Sequence, residues 1–391
     1  MKFLRLLVIS GIVAVLPARA VYAPIPEQEL GKDLTFTVRA GLAYDTNIFG
    51  AASGEIESAV WELAPRIAYN VSATPQTFLS AGYELTLDQF DNRPGDKLLD
   101  SHDATLRLAH SFSPATTLDV NDHFAISRNP QSLLAGVPLN SDQSLRRNQL
   151  DGRFSTELGP KLGVALKARS LYYRYRNTAL GRSLDRLENL YGLSADYALL
   201  PELKVVGEVR HQDVNYRHFG DTKDKTSDFL MGGLDYQVAQ TMMVSGRLGF
   251  EKRERAAERD TTSPYAELYG KYDYAPGSFL AGGYGYSLDE TSDTARFTDA
   301  KVHRFFVNVQ HRLTALITAS ASVSYEPSRL LGRRGIADID EDTTRGGLAL
   351  IYLPTRNWTV SASYDYDRVS SDDPVRGMKR QRTGLSARYA F

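Results

Sequence analysis

Cysteine is absent from all 391 residues, which excludes disulfides, thiolate metal sites, thiol catalysis and a lipid-anchored amino-terminal cysteine. No apolar run approaches the roughly 18 residues that a helical membrane span requires. Charge of one sign is not in excess either. The 46 Lys and Arg stand against 47 Asp and Glu, so nothing favours nucleic acid as a partner. Catalytic spacings are missing as well: the seven His include no H-E-x-x-H, and there is no G-x-S-x-G. A mean hydropathy of −0.33 would suit a water-soluble protein. Membrane barrels escape that test, because only alternate residues of each strand meet lipid.

What the chain does have begins with a secretory signature. Lys2 and Arg5 precede a short apolar stretch, Leu6 to Leu16, and Ala18-Arg19-Ala20 forms a small-x-small cleavage site, with Val21-Tyr22-Ala23 as a second choice. Residues 1–20 are therefore expected to be a signal peptide, with alternative cleavage after 23. Residues 21–33 are a short periplasmic extension, too short for a plug domain, and 34–391 form the barrel. Removing residues 1–20 shifts the formal charge from −1 to about −4.

From Leu34 onward the pattern has period two. Leu34, Phe36, Val38, Ala40, Leu42 and Tyr44 share a face opposite Thr35, Thr37, Arg39 and Gly41. Ile317 to Tyr325 and Trp358 to Tyr366 alternate equally cleanly, with Ser and Thr between the apolar residues. At 170–176 and 209–216 the alternation is poor, and a bulge or register change is expected there. Short turns marked by Pro75, Pro114, Pro160, Pro201, Pro276 and Pro354, with Pro-free turns at Gln240-Thr241 and Thr314-Ala315, give a two-strand repeat of about 40 residues. The other connections are longer and polar, among them Arg128–Asp142, Thr291–Asp299 and Pro327–Asp342. Tyr172, Tyr173 and Tyr175, Tyr272 and Tyr274, Tyr284 and Tyr286, and Tyr364 and Tyr366 bunch near strand ends, as an interfacial girdle requires. A soluble sheet of this kind would expose a large apolar surface on every arm. The fold class is thus an all-β transmembrane antiparallel up-and-down barrel of about 18 strands (16–18), with both termini periplasmic. The closing strand ends on an alternating run in which Leu385, Tyr389 and Phe391 are read as the signal for the barrel-assembly machinery.

The run Arg39-Ala40-Gly41-Leu42-Ala43-Tyr44-Asp45-Thr46-Asn47-Ile48-Phe49 resembles the opening G-x-x-Y-D-x-N-[IV]-F stretch of the β-barrel porin 2 family. The resemblance implies an outer-membrane barrel, in some members linked to exopolysaccharide secretion, and brings no catalytic residues with it. On their own chemistry, Asp45 and Asn47 are turn formers, and loop capping is favoured over a substrate role.

Phase places Arg39, Glu62, Arg66, Glu84, Arg107, Arg153, Lys167, Arg169, Arg210, Arg247, Arg304 and Arg388 on the inner wall as pore-lining candidates. Leu133, Leu134, Val137 and Leu139 make the Arg128–Asp142 loop unusually apolar and mark it as a constriction candidate. His123 faces the lumen without a specific nucleophile, while His110 and His311 fall in phase with lipid. Asp338 to Asp342 reads as a solvated acidic loop rather than a calcium site, and Lys252 to Arg255 as a solvated mixed-charge loop. No cofactor, metal or catalytic residue is expected. The reading is a porin-like, non-catalytic conduit in the cell outer membrane, with exopolysaccharide export as the version the resemblance implies. A general diffusion porin is the alternative within transport, and an outer-membrane hydrolase or an adhesive barrel the alternative outside it. Expected partners are outer-membrane lipid and lipopolysaccharide, the assembly machinery, and polysaccharide-export components.

Overall fold

The computed structural model describes residues 34–128 and 144–391. The expected signal peptide, the expected 21–33 extension and the Leu133–Leu139 constriction candidate lie outside the described residues. The first nine strands are β1 (Leu34–Asp45), β2 (Ser58–Thr74), β3 (Thr77–Phe90), β4 (Leu98–Ser113), β5 (Thr116–Ser127), β6 (Leu145–Glu157), β7 (Leu162–Tyr175), β8 (Arg186–Leu200) and β9 (Leu203–Tyr216). The second nine are β10 (Lys225–Ala239), β11 (Met242–Arg255), β12 (Thr261–Ala275), β13 (Ser278–Asp289), β14 (Phe297–Arg312), β15 (Ile317–Gly332), β16 (Ile339–Tyr352), β17 (Trp358–Ser371) and β18 (Met378–Ala390). Helix α1 (Thr178–Leu184), helix α2 (Gly220–Lys223) and a 3₁₀ turn (Pro374–Arg376) lie in the longer connections.

Each strand pairs antiparallel with its sequence neighbours, and β1 pairs with β18, closing one 18-stranded ring. At the seam Val38 lies opposite Tyr389, Leu42 opposite Leu385 and Asp45 opposite Arg382. The Phe391 amide donates to the Phe36 carbonyl at 2.9 Å. A closed ring leaves no open sheet edge, the condition for a β-structure to cross hydrocarbon. All eight anticipated short turns fall between strands at one end, where both ends of the barrel strands also lie. In the β12–β13 turn Gly277 has φ 75°, the left-handed conformation that follows proline at the second corner of a type II turn.

The outer face carries the belt that the alternation demands. Leu230 is 67% exposed, Leu348 58% and Trp61 55%, and Leu34, Leu42, Leu106, Val307 and Leu385 share that face. Exposure of this extent is stable only against lipid.

The expected register changes at 170–176 and 209–216 do not occur. β7 pairs with β8 without a shift up to Tyr173 opposite Arg186, and the one irregularity between β8 and β9 falls at Ala198–Leu200, beside the short turn. The pattern inverts there instead of slipping. At the long-loop end Leu171, Tyr173, Tyr175, Val214 and Tyr216 turn inward and are buried. Inward-folded loops cover them, so apolar side chains are favoured on the inside. Tyr173 and Tyr175 accordingly do not join the girdle, whereas Tyr272 and Tyr274 stand exposed on the outer face. Two other expectations are corrected by longer strands. β11 runs through Arg255, so Lys252–Arg255 is strand, with Arg253 buried at its inner face. β15 and β16 extend into the Pro327–Asp342 stretch and shorten that loop to residues 333–338.

Candidate functional site

The inner wall is lined by charges that meet across neighbouring strands. Arg39 bonds Glu62 on β2 and Glu84 on β3, with 3.2 Å to the latter. Arg107 grips Asp119 through two nitrogens at 3.2 and 2.6 Å, and Arg169 donates to Asp151 at 2.6 Å. Glu208 accepts from Lys167 at 3.0 Å and from Arg210 at 2.7 Å, reaching past Gly192, which separates those two cations in the register. Arg247 pairs with Asp235, and Arg304 with Asp289. Arg388 lies among Arg39, Arg66 and Glu84. Arg153 faces the lumen, exposed to solvent, on a β6 face shared with Asp151. The pore-lining candidates therefore all occupy inward positions, most of them as partners in ion pairs between strands. Such pairs keep the charges satisfied and leave a polar wall.

At the long-loop end, connections fold inward and interlock. Asn177 caps α1 by accepting from the Ala179 amide at 2.9 Å, and the helix carries Leu184 into a buried cluster with Tyr173 and Tyr175 of β7 and Val369 and Met378 of β17 and β18. β7 and β17 are far apart around the ring, so α1 bridges the lumen. Thr294 of the β13–β14 connection donates to the Ser183 carbonyl at 3.2 Å, Lys223 of α2 donates to the same carbonyl at 3.2 Å, and Arg333 donates to the Thr294 carbonyl at 2.9 Å. Arg296 pairs with Asp373 at 2.7 Å, and Arg376 with Glu341 at 3.0 Å.

Beneath these contacts lies a buried ionic knot. Lys225 donates to Asp299 at 2.9 Å, to Glu290 at 2.9 Å and to the Thr298 carbonyl at 2.6 Å. Arg253 donates to Asp299 at 2.6 Å and to Glu251 at 2.8 Å, Arg255 also binds Asp299, and the Tyr216 hydroxyl donates to Glu290 at 2.6 Å. Asp299 is 0% exposed, and three cations converge on it. Burial favours the neutral acid at Glu290, but Lys225 and Arg253 outweigh it and hold its carboxyl below the ordinary range. The Arg296 hydrogen bond does the same for Asp373, and burial holds the Lys223 ammonium below the usual lysine range.

Asp45 and Asn47 cap their loop. The Asn47 amide donates to Asp45 at 3.0 Å, and the Asn47 side chain donates to the Ala51 carbonyl at 2.8 Å and the Lys379 carbonyl at 3.0 Å. Asp45 also binds Arg380 of the closing strand, so the opening motif fastens the seam. The acidic stretch does not converge. Asp338 accepts from the Gly332 amide at 2.9 Å, the Asp340 amide donates to Asp372, and Glu341 turns inward to Arg376. His123 bonds Asp103, and among the described residues no serine hydroxyl joins them. His110 packs edge-on against Phe112, and His311 stacks on Tyr274. Sequence reasoning missed Lys225, Arg253, Arg255, Glu290 and Asp299 as a group. The signal available was the charge density of 251–255, whose period-two phase puts Glu251, Arg253 and Arg255 on one face.

No family model matches the sequence, and no curated protein does either. Among solved structures, OpdQ of Pseudomonas aeruginosa superposes with a TM-score of 0.50 at 9% identity, over 92% of this chain and 99% of that one. Fold and setting are those of an outer-membrane β-barrel. The outer membrane protein OpdK of the same organism (TM-score 0.47, 13% identity, 92% and 99% covered) and its OccK5 (0.47, 12%, 92% and 98%) are looser likenesses that add no argument. The resemblance to the β-barrel porin 2 family goes no further than this outer-membrane barrel fold.

Proposed function

We propose that the chain is a porin-like, non-catalytic channel for hydrophilic solutes, with the pore-lining candidates as its wall and the interlocked loops as its constriction. The observation that carries this reading is the closed 18-stranded ring with a lumen lined by ion pairs. A ring of this size is too wide for wall side chains alone to fill, and a polar lining holds water. The short-turn end with both termini faces the periplasm and the long-loop end faces outward toward lipopolysaccharide, following the general asymmetry of such barrels. Leu385, Tyr389 and Phe391 present the closing strand to the assembly machinery. Exopolysaccharide export rests on the opening-strand resemblance alone, and loss of secreted polysaccharide on deleting the gene is its test. Planar-bilayer recording tests the channel itself. Stepwise currents are expected from the purified protein. Silence both in the native chain and in a variant with residues 291–296 replaced by Gly and Ser would end the channel reading.

A further inference from the structure

Under the loop layer, the inner wall from β7 to β13 holds a pocket, open to solvent, that the ionic lining does not explain. Leu171, Leu190, Phe229 and Tyr265 form its apolar side, and the last three belong to one buried cluster in which the Phe229 and Tyr265 rings meet edge to face at 5.4 Å. An apolar recess gives the barrel wall no advantage while it faces only water.

Its polar side is charged asymmetrically. Four carboxylates line it (Glu188, Glu251, Asp289, Glu290) against two cations, Arg169 and Arg253. Both cations are already engaged, Arg169 with Asp151 and Arg253 with Glu251 and Asp299. Three of the carboxylates are paired in turn, Glu188 with Arg186, Asp289 with Arg304 and Glu290 with Lys225, which leaves Glu251 as the one to consider. Glu251 is 0% exposed, and its Oε1 accepts from Ser227 at 2.8 Å and from Arg253 at 2.8 Å. Its Oε2 accepts from no group among the described residues. Directly opposite in the register, the buried Ser263 hydroxyl is likewise without a partner. A buried carboxylate oxygen left open is a costly arrangement unless something donates to it.

We infer that this cavity is a binding site for a small primary amine with an aromatic body. The ammonium donates to Glu251 Oε2, and the ring lies against Phe229, Tyr265 and Leu190. An anion would be repelled by the open Glu251 oxygen, and a neutral alcohol could donate to Oε2 but would bring no countercharge. As the solute subsite of the channel, the cavity rests on the function proposed above. Occupancy can nevertheless be measured without current, so binding without conductance keeps the site and removes the channel, and conductance without binding does the reverse.

The test is isothermal titration calorimetry of the full chain in detergent with 2-phenylethylamine, 2-phenylethanol and phenylacetate. Saturable binding of the amine is expected, with the alcohol about tenfold weaker and the acid unbound. Glu251→Gln should weaken the amine about tenfold and the alcohol by clearly less. Because that substitution also touches Arg253, Leu190→Trp provides a second variant that fills the recess from its apolar side. It should abolish amine binding while the barrel still shows heat-modifiable migration. No amine binding, equal affinity for amine and acid, or undiminished binding in folded Leu190→Trp would overturn the assignment.

Discussion

At the scale of single residues, Asp299 is the group on which the lumen's closure turns. Asp299→Asn removes the charge that Lys225, Arg253 and Arg255 share, leaving buried cations short of a partner. The expected cost is about 3–5 kcal/mol, read as a lower urea midpoint for folding in lipid vesicles. Acid should act on the same layer without mutation. Glu290 and Asp373 both have carboxyls held below the ordinary range, so their contribution is complete above the unfolded carboxylate values near about 4 and disappears as pH falls through the depressed folded values. Single-channel conductance should therefore be flat from pH 7 to about 5 and rise below about 4. A rise on going alkaline would contradict the sign. Asp45 and Asn47 were legible as loop formers, because their chemistry acts within a few residues. Asp299 was not, since its bond to Arg253 joins groups 46 residues apart, and only a loop folded inward brings them together.

Among the elements, strands and short turns were readable because a period of two and a proline turn are local signals. The ends of β7 and β9 were misread for one shared reason. Above the lipid the outer face meets water and the inner face meets packed loops, so the pattern that marks a membrane strand reverses along a single strand. Tyr173 and Tyr216 are the residues that show this. The loop layer as an element predicts that replacing 291–296 with Gly and Ser raises conductance, because Thr294 no longer ties α1 to Arg333. The seam predicts that Cys at Ala40 and Ala387, directly opposite each other, crosslinks under mild oxidation. Cys at Ala40 and Arg388, one residue out of register, should not, because that shift turns one side chain to the other face. Failure of the first pair would sink the closed ring.

For the whole molecule, the outer belt and the lumen should tolerate charge in opposite ways. Leu230→Arg places a guanidinium in the lipid-facing band and should cost about 2–4 kcal/mol, whereas Arg153→Ala on the lumen side should barely change stability. Equal effects in vesicle unfolding would mean that the faces are misassigned. The ring closure itself has a consequence in time. Every other hairpin joins strands that follow one another, but the β1–β18 seam, where Asp45 meets Arg380 from 335 residues away, carries the largest loop-closure entropy. It should fasten last and set the pace of refolding. A finished circle keeps no record of where its thread began. Joining Phe391 to Leu34 through a short linker and opening the chain between Ala239 and Met242 should give the same circle. The slow fastening would then move to β10 and β11, and the timing of crosslinks during refolding would follow the new ends.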